Sequence, residues 1–578
     1  MTRIGTFVRN HHNRNWFCVA IIVLFCFLSF ALPLLMYGLP SGFDMLTDIQ
    51  FATAFQDVIS SGHVFPSWAN DNFGYGSVGI RFYPPLSFIL LAVTHLITND
   101  WFTTFVTNAF LWMLVGSVGM YFFVKEWGTP MQGLLAAILY AVVPQHLAEI
   151  FQFFMFGEFA AWAVLPFCFL FVTRICRGGT WIDTALFALF YSLLILIHLP
   201  TTIIVSLCLP IYVLFLIDWH NFKRIFIQLL SAIALTLLAT SFRWVMLVSE
   251  LNWLAHNGQE HYASGYYDFS LWLFPNVLAS RSLFVYVMTS WLFDIAIVLT
   301  VALTIPALIC LLRGYAGRNN SVQRVLIASL VTALFAFFML SRPSYYLWSN
   351  ITFLQKLQFP WRWLSILSML CVVLFTLSVP HLMSRFRKFE RFVAYPALAL
   401  VVAIMLFDIT QIIIPSAPVP SAEMAQIEER LTTQPIWKGW WPIWAKEKAF
   451  DNTERVIAAS RKVDITNWTP ESKEFVVQPG QPVSVGVQTF YYPRWKATVN
   501  GRASEIGMDE NGAITIPVSG EVSRVHLYFE EPLIIKGSYV VSSVIWLLGF
   551  CLMYVIYGRK YIPSMSSKPL FDEEYDYS

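Results

Sequence analysis

Long runs of apolar residues follow one another along the whole chain, with short polar segments between them. Twelve of these runs are long enough to cross a hydrocarbon core of about 30 Å as helices. The runs are 16–37, 101–124, 131–147, 156–173, 182–198, 201–217, 225–248, 284–312, 325–341, 361–380, 392–414 and 538–557. The pattern therefore predicts a polytopic α-helical membrane protein with about twelve spans.

One further apolar run, 86–97, is short for a span and is typical of an interfacial or re-entrant helix. The basic residues support this interpretation. If 86–97 does not cross the membrane, every later cluster of Lys and Arg falls on the same side as the basic N-terminus. Because such clusters favour the cytoplasmic side, we expect both termini in the cytoplasm. The first run is long for a signal-peptide core, so we expect it to remain as a helix.

With this topology, five segments lie outside the cytoplasm. They are 38–100, 148–155, 249–283, 342–360 and 415–537. The first outer loop, 38–100, belongs to a transmembrane domain that we expect to cover residues 1–414. The segment 415–537 is long enough to form an outer domain. A last transmembrane helix, 538–558, and a cytoplasmic tail, 559–578, are predicted to follow it.

Within the outer domain, the pattern changes to a period of two residues from about residue 480. Apolar residues around Val485 and Leu527 alternate with polar ones, which is typical of half-buried strands. Asn500-Gly501 and Asn511-Gly512 are hairpin-turn signals, because both residue types accept positive φ. We therefore expect a small β-sandwich of four or five strands.

Composition agrees with this class. The chain is 57% hydrophobic and only 12% charged, whereas soluble domains carry about 25% charged residues. The net charge of +2 argues against a nucleic-acid partner. None of the eight cysteines stands in a CxxC spacing, and all fall in or beside apolar runs. This arrangement predicts free apolar thiols rather than disulfides or a zinc site.

The first outer loop carries the most informative polar residues. Asp44 and Asp48 stand four residues apart just beyond the first span, so on a helix their carboxylates share one face. Two close carboxylates can act as base and metal ligand, or raise each other's pKa. From spacing alone, helix capping and solvated polar residues are the favoured explanation.

Other polar residues stand near the predicted outer ends of helices. Arg81 and Tyr83 precede the short apolar run; Arg81 could extend to lipid headgroups or hold a ligand phosphate. Two further arginines, in TSFRWVM and QFPWRWL, could bind phosphate or anchor helices. Ionisable residues at membrane depth are costly and often functional, although a lone histidine is often a satisfied core group. The further candidates near predicted outer helix ends are Glu158, His198, Arg243 and Arg362.

Several motifs follow one another in a fixed order. A Gly-x-Asp motif follows the first span, and then come GHVFPSW, GYG, FYPPL, GEFAAW with LPFCF, HLPTT, QFPWRWL and the tail YYPRWKATVNG. In this order the chain resembles the GT-C superfamily of polyprenyl-phosphate-sugar-dependent glycosyltransferases. It is most similar to the bacterial membrane family labelled 6-pyruvoyl-tetrahydropterin synthase-related, which is kin to YfhO-like proteins. The resemblance covers nearly the whole chain.

The resemblance implies a GT-C-like fold and an active site outside the cytoplasm. Asp44 matches the catalytic acidic residue of the first outer loop and would act as base, and Asp48 beside it is expected to be a second catalytic residue. Substrate would contact Arg81, Tyr83, Glu158, His198, Arg243 and Arg362. The family often has histidine at the position of Asp48, and this departure leaves open whether Asp48 binds a divalent cation. No motif for an organic cofactor is present.

The implied partners are a polyprenyl-phosphate-linked sugar donor, the lipid bilayer, and a glycan, lipid or protein acceptor at the outer face of the cell inner membrane. Two other functions are open. A transporter or flippase of lipid-linked glycans should carry ionisable residues near mid-membrane and repeated halves, and neither pattern is clear in the sequence. A non-catalytic cell-envelope assembly protein would use its outer domain to bind a partner.

Overall fold

The computed structural model describes residues 11–40, 44–60, 67–257, 291–314, 320–385, 406 and 418–561. The chain forms a large helical part, a strand-rich region and a final long helix. The α-helices are His11–Cys26, Leu32–Tyr37, Met45–Ser60, Gly79–Phe82, Leu86–Thr98, Trp101–Lys125, Pro130–Ala141, Pro144–Ala148, Phe156–Trp162, Leu165–Cys176, Trp181–Ile197, Leu199–Leu216, Phe222–Ala239, Ser241–Glu250, Trp291–Ala302, Ile305–Leu312, Asn320–Leu340, Tyr345–Asn350, Thr352–Gln355, Leu364–Arg385, Met424–Thr433 and Leu533–Tyr561.

Nine helical segments of the described chain are long and apolar enough to cross a membrane. They are Asn15–Tyr37, Trp101–Lys125, Pro130–Phe153, Phe156–Cys176, Leu199–Leu216, Trp219–Ala239, Ser321–Leu340, Pro360–Arg385 and Leu533–Leu552. Each overlaps one predicted span. Two shorter apolar helices, Trp181–Ile197 and Ile297–Leu312, overlap two more. The predicted span 392–414 lies outside the described residues except Leu406, so the total of twelve stays a prediction.

The third shorter apolar helix, Leu86–Thr98, corresponds to the run that we expected not to span. It has 13 residues and ends at Asn99, whose positive φ of 51° stops the helix. Asp100 then caps the next helix by accepting a hydrogen bond from the Thr103 N–H at 2.7 Å. A helix of this length rises about 20 Å, which is less than the hydrocarbon thickness.

The predicted span 225–248 is divided into two helices at Thr240. The last helix of the chain explains how this break is tolerated. Trp546 Nε1 donates to the carbonyl oxygen of Ala239 at 3.0 Å, and the Ser542 hydroxyl donates to the same oxygen. A carbonyl released from its helix is therefore satisfied by a neighbouring helix, as backbone groups within a membrane must be.

The strand-rich region confirms the predicted β-structure, but it begins at Val456 rather than near residue 480. Its strands are β3 (Val456–Ile457), β4 (Val463–Trp468), β5 (Ser472–Val477), β6 (Val483–Phe490), β7 (Trp495–Val499), β8 (Arg502–Ser504), β9 (Gly507–Met508), β10 (Ala513–Val518) and β11 (Ser523–Phe529). They form two antiparallel sheets, β3-β6-β10-β9 and β4-β5-β11-β7-β8. The early strands β4 and β5 precede the residue at which the sequence pattern indicated the first strands, and no residue of β4 is fully buried.

Alternate side chains from the two sheets meet in one apolar core, so the sheets form a sandwich. Val485 and Ile516 come from one sheet, and Phe475 and Leu527 come from the other; all four are buried. The Asn500-Gly501 turn joins β7 to β8, and both residues have positive φ, as the sequence predicts. A further pair of short strands, β1 (Leu39–Pro40) and β2 (Pro418–Val419), ties the end of the first span to the start of the outer region.

The first outer loop lies between the sandwich and the helices. Trp68 packs against Trp495 and Phe529 of the sandwich, with ring centroids 5.4 and 6.0 Å apart. The Phe490 N–H donates to the carbonyl of Tyr75 at 2.8 Å. Gly76 has a positive φ of 82°, and a Cβ there would overlap the Trp68 ring, so this turn requires glycine. The loop therefore fixes the sandwich onto the membrane part.

Candidate active site

Asp44 and Asp48 lie at the start of the Met45–Ser60 helix, one turn apart. The Asp48 N–H donates to the Asp44 carbonyl at 2.7 Å, which places both carboxylates on one face. Asp48 is buried, whereas Asp44 keeps part of its surface exposed.

The environment separates the pKa values of these two carboxyls. Burial raises the pKa of Asp44 to about 6, and the positive charge of Arg362 opposes that rise. Burial also raises the pKa of Asp48 well above its usual value; the charge of Asp44 adds to the rise, and a backbone hydrogen bond from Phe156 opposes it. At neutral pH, Asp44 is therefore mainly ionised and a stronger base than an ordinary aspartate.

Arg362 and Glu158 form a buried ion pair next to these aspartates. Nε of Arg362 donates to Oε2 of Glu158 at 2.9 Å, and Nη1 donates to the Leu357 carbonyl at 2.8 Å. The sequence fixes this geometry locally, because Pro360 starts the 3-10 turn Pro360–Trp363 that carries the arginine. Among hydrogen bonds to described residues, Arg362 uses Nε and Nη1, which leaves Nη2 for a ligand.

Tyr83 and His198 meet on either side of Gly157. A Cβ at Gly157 would lie 3.3 Å from Oη of Tyr83 and 3.9 Å from Cδ2 of His198. Nδ1 of His198 is 2.8 Å from the Thr201 hydroxyl, which orients the ring. Burial raises the pKa of Tyr83 well above its usual value, with added effect from the charges of Asp44 and Asp48. Tyr83 therefore stays neutral and can donate a hydrogen bond.

Glu149 is a member of this cluster that sequence reasoning missed. Pro144 starts a new helix, Pro144–Ala148, and a wide π-helical turn, Glu149–Phe153, follows it and turns Glu149 inward. The side chain is completely buried, and Gln145 Nε2 donates to its Oε1 at 2.7 Å. The sequence does carry a signal for Glu149, because it is an acid in an otherwise apolar stretch. The predicted topology places it in the short outer link 148–155 instead.

Three buried carboxylate oxygens in this cluster have no hydrogen-bond partner within the described part of the chain. They are Oδ2 of Asp48, Oε2 of Glu149 and Oε1 of Glu158. Buried polar atoms are almost always hydrogen-bonded, so such a group of orphaned atoms indicates a place for protons, water or a polar ligand. Asp44, Asp48, Glu149, Glu158 and Arg362 form what we call the acidic site, with Tyr83 and His198 beside it.

Arg81 lies outside the acidic site, in a second buried network. Its Nη2 donates to Oε2 of Glu250 at 2.9 Å, and its Nη1 donates to Glu531. Glu250 also accepts from Arg494 Nε at 2.7 Å and from the Tyr492 hydroxyl at 2.8 Å. Two carboxylates neutralise the positive charge of Arg81. This arginine therefore has no free charge with which to hold a ligand phosphate, one of the two roles considered for it.

Arg243 supports the same network. Its Nη1 donates to the carbonyl of Arg81 at 2.5 Å, and its Nη2 donates to the carbonyl of Phe82. Both arginines are buried. The structure thus brings together six of the eight residues proposed from sequence and places these two in the junction between the first outer loop and the sandwich. We call the set Arg81, Arg243, Glu250, Arg494 and Glu531 the junction network.

Among the described residues, no three His, Cys, Asp or Glu side chains converge in a way that could hold a metal ion. Asp48, the residue suggested as a ligand, is buried, and Asp44 is the charged group that acts on its carboxyl. The divalent cation suggested for Asp48 stays a prediction, and no step below depends on one. All eight cysteines are free thiols, as expected.

Comparison with known proteins adds the following. The family described as "6-pyruvoyl-tetrahydropterin synthase related domain; membrane protein" matches residues 80–416. No curated protein sequence matches the chain. Among solved structures, the chain is similar to ArnT from Cupriavidus metallidurans, determined bound to undecaprenyl phosphate, with 13% identity and a TM-score of 0.40. That match covers 68% of this chain and 64% of ArnT, so it spans less than two thirds of ArnT.

Proposed function

The chain belongs to the family of membrane proteins described as 6-pyruvoyl-tetrahydropterin synthase related, and we propose that it is a glycosyltransferase of the GT-C type. It transfers a sugar from a polyprenyl-phosphate donor to a hydroxyl group of a glycan, lipid or protein. The observation that carries the proposal is the acidic site. There Asp44, a half-buried residue whose carboxyl has a raised pKa, lies within the electrostatic reach of the buried Arg362 beside the first outer loop.

The proposed reaction is a single displacement at the anomeric carbon. The acceptor oxygen forms a bond to that carbon as the bond to the donor phosphate breaks, and the electron pair of the broken bond leaves on the phosphate. Asp44 takes the proton of the acceptor hydroxyl. The products are the glycosylated acceptor and the polyprenyl phosphate.

Arg362 is the residue proposed to stabilise the leaving phosphate. A guanidinium can direct two N–H groups at phosphate oxygens, where negative charge develops as the bond breaks. Glu158 holds the guanidinium in place through Nε, and the Leu357 carbonyl holds it through Nη1. Tyr83 and His198 would contact the sugar or the phosphate from the same side.

We further propose that the acidic site faces the outside of the inner membrane and that both termini are cytoplasmic. The support is the distribution of Lys and Arg along the sequence. On that side, polyprenyl-linked sugars would reach the site from the bilayer, and the sandwich would border the entrance for the acceptor. The junction network holds the sandwich beside the first outer loop.

One observation favours transport of a lipid-linked glycan as a second candidate. Glu149 and Glu158 are buried carboxylates within segments long enough to span, and the chain is broken around Pro144. Buried acids next to interrupted helices are typical of substrate sites in transporters. A transporter moves its glycan unchanged, so the two functions differ in whether a new glycosidic bond appears.

Analysis of extracted glycans and glycolipids tests the proposal. A strain lacking the gene should lose one sugar from a defined product and accumulate the acceptor without that sugar. Expression of the parent chain should restore it. If the strain instead keeps the complete lipid-linked glycan on the cytoplasmic side, the proposal is wrong and transport is favoured. An unchanged glycan profile would contradict both functions.

A further inference from the structure

A basic cavity lies at the opposite end of the helix that leads to His198. The Trp181–Ile197 helix has 17 residues, which corresponds to about 25 Å of rise. A cavity of about 390 Å³ lies where the start of this helix meets the start of the Phe222–Ala239 helix. It is lined by Trp181, His220, Asn221, Lys223, Arg224 and Ile227. The cavity is therefore remote from the acidic site and near the other membrane face.

The cavity carries positive charge that protein groups do not neutralise. Lys223 and Arg224 are exposed, and neither forms an ion pair with an acid of the described chain. The nearest acid along the chain, Asp218, is occupied by the N–H of His220 and by Asn221 Nδ2 at 2.7 Å. Nη2 of Arg224 donates to the Gly179 carbonyl at 2.8 Å, which holds its stem at the cavity wall.

The cavity continues into an apolar surface. Phe226, Leu230 and Ile233 on the Phe222–Ala239 helix are each more than half exposed. Trp181 and Trp219, at the same level as the basic residues, are 58% and 61% exposed. Tryptophan at the end of an apolar helix face is typical of the membrane–water interface. The surface thus offers cations at headgroup level and apolar contacts beneath them.

We propose that this cavity binds the headgroup phosphate of an anionic membrane phospholipid. Lys223 and Arg224 contact the phosphate, and Trp181 and Trp219 lie beside the glycerol region. The acyl chains follow the exposed face of the Phe222–Ala239 helix. A free phosphate would match the cations but not the apolar face. A zwitterionic lipid would match the apolar face, but the ammonium group of its own headgroup offsets the phosphate charge, so it brings no net negative charge to the two cations. The bound lipid would fix the two helices together at this membrane face.

Native mass spectrometry of the purified full-length chain tests the site. The chain in detergent is titrated with phosphatidylglycerol or with phosphatidylcholine of the same acyl chains, and bound lipids are counted. Phosphatidylglycerol should bind more tightly to the parent. Lys223→Gln should weaken it about 5-fold, because a basic residue near an anionic headgroup contributes about 1 kcal/mol. The double variant Lys223→Gln/Arg224→Gln should weaken it about 25-fold.

The controls separate the site from general electrostatics and from misfolding. Arg385→Gln removes an exposed cation at the end of another helix and should leave phosphatidylglycerol binding unchanged. Lys223→Gln keeps the bond between Arg224 and Gly179, so it reports on binding even if the double variant unfolds. Equal binding of the two lipids, parent-like binding by Lys223→Gln, or displacement of phosphatidylglycerol by millimolar inorganic phosphate would each overturn the proposal.

Discussion

Nε of Arg362 lies 2.9 Å from Oε2 of Glu158, and both side chains are buried although 204 positions separate them in the chain. This pair joins two motifs that sequence reasoning considered separately, GEFAAW and QFPWRWL. It also places one positive charge among the four carboxylates of the acidic site. A phosphate entering there would meet a guanidinium that is already oriented.

Arg362→Lys should lower product formation by roughly 100-fold while the protein still inserts and folds. Lysine keeps the positive charge but cannot reproduce the fork that bonds Glu158 and the phosphate together, and removal of one such stabilising donor costs about this factor. The measurement is restoration of the missing glycan in the deletion strain at matched expression.

Arg243→Lys is the matched control for that variant, because Arg243 is also buried but, within the described residues, its hydrogen bonds go to the carbonyls of Arg81 and Phe82. It should lower the melting temperature, and product should fall only as far as folded protein falls. Equal loss of activity per folded molecule in both variants would contradict a specific role for Arg362.

Product formation should depend on pH through Asp44. Its pKa is raised to about 6 by burial, so the carboxylate is present above that pH and is protonated below it. Because a base acts only when deprotonated, the rate should fall about 10-fold for each pH unit below about 6. Initial rates in membrane vesicles between pH 5 and 8 measure this, with melting temperatures over the same range to separate unfolding. A flat profile would contradict Asp44 as the base.

Much of this arrangement was predictable from local pattern. The apolar runs, the short helix Leu86–Thr98 and the Asn500-Gly501 turn depend on residues near one another in sequence, and the structure contains all three. The family resemblance, drawn from the order of motifs, is confirmed by the family match over residues 80–416. These features need no knowledge of how distant segments pack.

Long-range contacts decided the rest. Arg81 and Arg362 each stand in an aromatic motif near a predicted outer helix end, yet one is neutralised by Glu250 and Glu531 and the other pairs with Glu158 at the acidic site. Nothing in either local sequence distinguishes them. Glu149 was missed because its inward direction depends on the wide turn that follows Pro144, which the helical periodicity does not encode.

Glu531→Gln should loosen the sandwich from the membrane part. Glu531 and Glu250 together balance Arg81 and Arg494, so loss of one carboxylate leaves a buried positive charge uncompensated. Breaking a buried pair in this way costs about 3 to 5 kcal/mol. Hydrogen exchange should rise in the loop around Trp68 and Tyr75. Glu474→Gln is the control, since its only ion pair in the described chain is a 3.8 Å contact with His526; parent-like exchange in Glu531→Gln would contradict this role.

The orientation can be tested with single cysteines. Seven native cysteines are buried and Cys551 is exposed, so a Cys551→Ser background should react little with an impermeant thiol reagent. In that background, Ala503→Cys on the sandwich should be labelled in intact spheroplasts. Ser384→Cys, at the end of the Leu364–Arg385 helix, should be labelled only after the membrane is opened. The reverse pattern would place the acidic site on the cytoplasmic side.

The variant Asp48→Asn distinguishes the role of Asp48 from that of Asp44. Burial raises the pKa of Asp48, which favours its neutral form, and asparagine resembles that form in shape and charge. We expect this variant to keep most activity and to lose little stability. Activity lost in Asp48→Asn and restored by an excess of divalent cation would instead indicate a metal ligand at this position.

The most direct measurement is product formation by Asp44→Asn in the deletion strain, at expression matched to the parent. Asparagine keeps the size of the side chain but cannot accept the acceptor proton, and loss of a general base costs roughly 100- to 10,000-fold in rate. We predict a folded, membrane-inserted protein that leaves the acceptor unglycosylated. Restoration of the parent level of product by a well-expressed Asp44→Asn chain would contradict Asp44 as the catalytic base.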